Sequence, residues 1–173
     1  MTFKDFISIT DDKTIRGFVI VKKGDTVIFE KENMIVANGR KYIRELFIMN
    51  ALSSSPGVPL PYQVQYSGYS LNRLAFGSSG QASTQETDGL VSEISGKRIV
   101  LNDSVIEAAP EQLFIKFRGV LNMANEAEGT IVREIGLFLT KPNSTDKLFS
   151  RIVFDPIPIE PGESYEVEYY IYF

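Results

Sequence analysis

The chain contains no cysteine, no histidine and no tryptophan. Without cysteine there can be no disulfide, thiolate metal site or thiol nucleophile, and the redox compartment stays undetermined. Without histidine the commonest general base and the commonest transition-metal ligand are missing. No apolar run approaches the ~20 residues that a membrane helix needs. The opening Met1-Thr-Phe-Lys-Asp-Phe6 lacks a basic-then-apolar signal segment, so synthesis in a cytoplasm is the default expectation. An excess of positive charge is also lacking. Eighteen Lys and Arg face 22 Asp and Glu, for a net charge of −4. That balance counts against non-specific nucleic-acid binding, which runs on clustered cations. The pairs and triplets that do occur, such as Lys22-Lys23 and Lys97-Arg98, read as solvated surface.

What remains is ordinary globular composition, 43% hydrophobic and 23% charged over 173 residues, enough for one domain with a sizeable core. Twelve Phe and eight Tyr lean toward β-structure, where rings pack well on a half-buried pleat. Thr14–Val21 and Thr26–Phe29 flank Lys22-Lys-Gly-Asp25 and read as a hairpin, with Gly24 supplying a positive φ. Leu71–Phe76, Leu113–Met123, Ile131–Thr140, Lys147–Phe154 and Tyr165–Phe173 read as further strands. In the last of these Tyr165, Val167, Tyr169, Ile171 and Phe173 form the expected core face, with Glu166, Glu168, Tyr170 and Tyr172 opposite. One helix is expected near residues 39–51, where Ile43, Leu46 and Phe47 share a face with Tyr42 and Asn38 is placed to cap the first turn. The expected fold is therefore mainly β: an antiparallel β-sandwich-like domain with an N-terminal hairpin and one α-helix.

No catalytic constellation emerges. Gly77-Ser-Ser-Gly80 is small and glycine-rich but lacks the lysine and strand-to-helix setting of a phosphate loop, so it reads as a turn. Asp11-Asp12 and Glu126 with Glu128 match no calcium-loop spacing. The expectation is a protein without catalytic residues, cofactor or metal. Residues 53–69 are rich in Ser, Pro, Gly and Tyr, and three prolines within six residues forbid a regular element there. Tyr62, Tyr66 and Tyr69 make this segment either a contact loop or one packed on its own domain. Phe18 and Ile20 on the hairpin are the other candidate contact residues. Glu134 and Arg151 each sit mid-strand between apolar neighbours, where a lone buried charge costs several kcal/mol. They are either a cross-strand ion pair of structural character or two unrelated exposed charges.

Several segments then follow one another in a familiar order. They are Ala37-Asn-Gly-Arg40 leading the helix, Leu74-Ala-Phe-Gly-Ser-Ser-Gly80, Thr87-Asp-Gly-Leu-Val-Ser-Glu-Ile94, Arg133-Glu-Ile-Gly-Leu-Phe138, Leu148-Phe-Ser-Arg-Ile-Val-Phe154 and a Pro-Gly turn into an aromatic strand. Residues 34–173 thereby resemble a recurrent β-domain of tailed-bacteriophage virion proteins, found among minor tail, baseplate and fibre-associated components. The resemblance implies a non-enzymatic structural subunit, made in the host cytoplasm and built into the virion beside other virion structural proteins. It implies a homo-oligomer, a trimer or ring, with no nucleic-acid or membrane partner. Residues 1–33 fall outside the pattern and read as an attachment hairpin. A capsid decoration or head-fibre protein and a carbohydrate-binding module are the alternatives.

Overall fold

The computed structural model describes residues 15–53, 65–101, 106–107, 114–123 and 128–173. Among them lie strands β1 (Arg16–Lys23) and β2 (Thr26–Ile35), helix α1 (Ala37–Ser53), and strands β3 (Ser70–Gly77), β4 (Ile99–Val100), β5 (Ile106–Glu107), β6 (Phe114–Asn122), β7 (Thr130–Thr140), β8 (Lys147–Ile159) and β9 (Ser164–Tyr172). All pairings are antiparallel, in the order β4-β3-β7-β8-β2-β1-β9-β6-β5. The sheet curls until its two ends nearly meet. A Cβ on Gly119 of β6 would lie 3.1 Å from Leu74 on β3 and 3.2 Å from Ile99 on β4, so glycine permits this close approach.

The expected mainly β fold with one helix is the fold observed. The interior is filled by alternate residues of facing strands, among them Val19, Val21, Leu74, Phe117, Ile135, Leu137, Val167, Tyr169 and Ile171. Tyr165, Val167, Tyr169 and Ile171 face inward as the period-two pattern predicts, but Phe173 is 49% exposed. It lies one residue past Tyr172, the last residue of β9 with partners on β1 and β6, and no strand among the described residues pairs with it.

The hairpin is a structural part of this sheet and no separate appendage. Val19 is fully buried, and β1 pairs with β9 from Arg16↔Tyr172 to Lys22↔Glu166. β2 runs unbroken from Thr26 to Ile35, and it joins the halves of the sheet through only Met34↔Arg151 and Ile35↔Ser150. β8 also runs on through Pro156 and Pro158 to Ile159, because β7 continues to pair with it as far as Thr130↔Ile159. Two prolines are tolerated there because no strand among the described residues pairs with the other side of that stretch.

The helix begins two residues earlier than expected, at Ala37. Val36 therefore opens it, with the Arg40 amide donating to the Val36 carbonyl at 3.1 Å, and Asn38 lies within the first turn. Gly39 lies against β8, where a Cβ would collide with the Phe149 carbonyl oxygen.

Candidate interaction surfaces

The outer face of β3, β7 and β8 carries a small second core of Val36, Ala75, Phe138 and Leu148, with Leu90 packed on it from the covering segment 78–98. That segment is fastened by backbone bonds, Ser78 N to Ser92 O and Ile94 N to Phe76 O at 2.8 Å each. Beneath it Glu134 and Arg151 meet, both almost wholly buried, with Arg151 Nε donating to Glu134 Oε2 at 2.7 Å. The contact is diagonal, since Glu134 stands opposite Val153 and Arg151 opposite Gly136. Each partner also holds the cover. The Glu134 carboxylate accepts the amides of Val91 and Ser92 at 3.3 and 2.9 Å. Arg151 donates to the Gln81 carbonyl at 2.9 Å and to Ser83 Oγ at 3.2 Å. Hydrogen bonds this numerous offset the cost of taking the two side chains out of water. Gly77 makes room for the pair, since a Cβ there would collide with the Glu134 carboxylate.

Arg98 closes the far end of the cover. It grips Glu93 through Nε and Nη2 at 2.5 and 2.7 Å, reaches Asp146 at 2.5 Å and lies over the Phe138 ring. The hydrogen bond to Glu93 leads the influences that raise its already high pKa, so the guanidinium is always charged.

The outer face of β1, β9 and β6 is built differently. Glu168 is flanked by Lys22 Nζ at 2.8 Å and Lys116 Nζ at 3.8 Å, and accepts from the Tyr170 hydroxyl at 3.1 Å. Burial opposes its ionisation, but the Lys22 and Tyr170 hydrogen bonds and the charges of Lys22 and Lys116 outweigh it, so the carboxyl is held below its usual value. Phe114, Tyr170 and Tyr172 form an aromatic group beside it, the two tyrosines stacked at 17°. Phe18 and Ile20, the expected hairpin contacts, lie half-buried opposite Tyr170 and Glu168 respectively.

The expected tyrosine loop is divided by the structure. Tyr62 lies outside the described residues. Tyr66 is only 3% exposed and belongs to the core, which corrects its reading as a contact residue. The cause is Glu45 on α1, a buried carboxylate that accepts the amides of Gln65 and Tyr66 at 3.2 and 2.8 Å. Tyr66 is thereby swung under the helix, where its hydroxyl donates to Asn38 Oδ1 at 2.9 Å. Burial first, then the charge of Glu45, raises the Tyr66 pKa. Tyr69 is half-buried, its hydroxyl on the Thr145 carbonyl at 3.2 Å and its ring beneath Lys141 and Lys147.

What the helix leaves uncovered was missed by the pattern of its residues. Ile43 is buried as expected, but Leu46 is 48% and Phe47 59% exposed. With Leu71, Ile115, Ile171 and Phe173 they border an apolar cavity of about 450 Å³ between α1 and the ends of β6 and β9. Burying such side chains is worth about 1.5–3 kcal/mol each, so a contiguous exposed group is a candidate contact surface. The spacing that revealed Leu46 and Phe47 as one face could not show that the sheet stops short of them.

Comparison with family models, with curated proteins and with solved structures finds no match.

Proposed function

We propose that this protein is a non-enzymatic bacteriophage virion structural subunit, at the tail, baseplate or fibre attachment, working through protein–protein contacts. The observation that carries the reading is the apolar group Leu46, Phe47 and Phe173 at the mouth of the α1–β9 cavity. The order of segments from Ala37 to Phe154 supports the particle context, and the rings or trimers that the resemblance implies favour a neighbouring copy as the occupant of this surface. A nearly closed sheet with a dry ion pair under a fastened cover offers a rigid body for such repeated contacts.

The test is sedimentation of the intact chain and of Phe47→Glu, with immunogold electron microscopy of virus particles. A defined oligomer that Phe47→Glu converts to monomer, with label at the tail tip or fibre bases, supports the reading. A monomer at all concentrations, or particles without label, overturns it. Label over the capsid would move the protein to the decoration or head-fibre class.

The Phe114, Tyr170 and Tyr172 group favours a second reading, a carbohydrate-binding module, because flat apolar rings beside polar groups suit sugar faces. A glycan array with a saturable hit abolished by Tyr172→Ala supports it.

A further inference from the structure

Three inward positions of β2, Phe29, Lys31 and Asn33, stand opposite Val21, Val19 and Gly17 of β1. Val19 and Val21 belong to the core, so alternation calls for apolar residues where Lys31 and Asn33 stand. Gly17 makes room for the second of these, since a Cβ there would collide with the Asn33 side chain. The Asn33 amide nitrogen donates to Ser150 Oγ on β8 at 2.6 Å and to the Tyr169 hydroxyl on β9. Ser150 Oγ gives its own proton to the Met34 carbonyl at 3.0 Å, so between Ser150 and Tyr169 the tyrosine is the donor. Tyr169 is fully buried, and burial raises its pKa, so the hydroxyl keeps the proton that it donates. One polar knot thereby ties β2, β8 and β9.

Little main chain holds β2 to β8. β1 pairs with β9, and β7 with β8, along most of their lengths. β2 meets β8 only at Met34↔Arg151 and Ile35↔Ser150, continued by the Val36 amide on the Phe149 carbonyl at 3.1 Å. Among the described residues this is the one strand pairing between β4-β3-β7-β8 and β2-β1-β9-β6-β5. Toward Phe29 the two strands are bridged by side chains, Lys31 Nζ on the Val153 carbonyl at 3.1 Å and the Phe29 ring 4.4 Å from that of Phe154. A cavity of about 580 Å³ reaches the junction, with Asn33, Ile35 and Ile152 on its wall. Backbone bonds that are few and lie beside solvent are the ones that open below the cost of global unfolding. Asn33 Oδ1 is buried without a hydrogen-bond partner, a cost that contact with water removes.

We infer that the β2–β8 junction is a latched seam: β2 parts from β8 at residues 34–36 while the β1–β9 and β7–β8 pairings stay closed, and the Tyr169–Ser150–Asn33 knot holds it shut. Once the seam is parted, water of the cavity reaches the Tyr169 hydroxyl and Asn33 Oδ1. The inference concerns one chain by itself and does not rest on the oligomer proposed above.

The experiment is residue-resolved hydrogen exchange of the intact chain. The Val36 amide is expected to exchange faster than the amides of the β1–β9 and β7–β8 pairings. Tyr169→Phe, which removes the donor from the knot, should widen that gap roughly tenfold, and Ser150→Ala should widen it too. Because the chain has no cysteine, an Ile35→Cys, Ser150→Cys variant places one disulfide across two directly opposed positions. Oxidised, it should bring Val36 to the rate of the half-sheet amides; reduced, it lacks the Ser150 hydroxyl and should exchange faster than the parent there. The cysteine pair carries the test even where Tyr169→Phe does not fold. Val36 exchanging in step with the two pairings in the parent overturns the inference. So do variants that accelerate every amide by one factor, or a disulfide that leaves the gap unchanged.

Discussion

The two outer faces of the sheet begin from similar strand sequences and end in opposite states. On β7 and β8, Glu134 and Arg151 sit under segment 78–98 with almost no exposure. On β9 and β6, Glu166 and Arg118 form an ion pair of the same chemistry with the arginine half exposed. Strand alternation put both pairs on outward positions. What separates them is the cover, whose amides at Val91 and Ser92 and carbonyl at Gln81 complete the bonds that water supplies elsewhere. The same two residue types act as an internal fastener in one place and as a solvated surface in the other.

The sharpest way to break this contrast is to remove one buried charge. Glu134→Ala leaves Arg151 unpaired and frees two amides of the cover, at an expected loss of about 3–5 kcal/mol. Urea unfolding measures that loss, and hydrogen exchange should speed up through residues 78–94. A Glu134→Leu, Arg151→Met double variant should recover much of it in the sheet while the cover stays loose. Gly77→Ala tests the same site by crowding. The added methyl meets the Glu134 carboxylate, and a loss of about 1–3 kcal/mol is expected, read from the shift in urea midpoint.

The smallest effect belongs to Glu168 on the opposite face and appears in the pH dependence. The Glu168 carboxyl is held below its ordinary 4.5 in the folded protein, so its ionised form stabilises the fold. That contribution is present above the ordinary value and is lost as pH falls through the lowered one. Glu168→Gln should therefore cost less than about 1 kcal/mol near neutrality, and the gap from the parent should close in acid. Stability curves of both proteins across the acid range check this. A gap that widens on acidification would reverse the sign.

Much of the fold was readable from the pattern of residues. The positions of β3, β6, β7 and β9 and the first part of β8, the hairpin turn at Gly24 and the single helix follow from alternation, glycine placement and an i, i+3, i+4 stripe, whereas the two-residue strands β4 and β5 do not. The inward residues of β9 follow from period two alone. The segment between Gly80 and Lys97 was less readable. Its bonds to Glu134 and Arg151 reach residues more than forty positions away, and its polar composition conceals Leu90. Tyr66 misled for a related reason. A tyrosine beside prolines and glycines has the composition of a contact loop, and only Glu45, twenty-one residues earlier, draws it inward.

The sequence by itself determined which residues alternate, where the chain turns, and that no thiol or imidazole chemistry is available. Those are local properties, set by side-chain type and backbone freedom over a few positions. Only the tertiary structure decided that the hairpin is built into the sheet, that Glu134 and Arg151 are dry, that Tyr66 is core, and that Leu46, Phe47 and Phe173 stay in water. Each of these depends on which distant segment arrives to cover a face, and burial is a property of that arrival rather than of the residue.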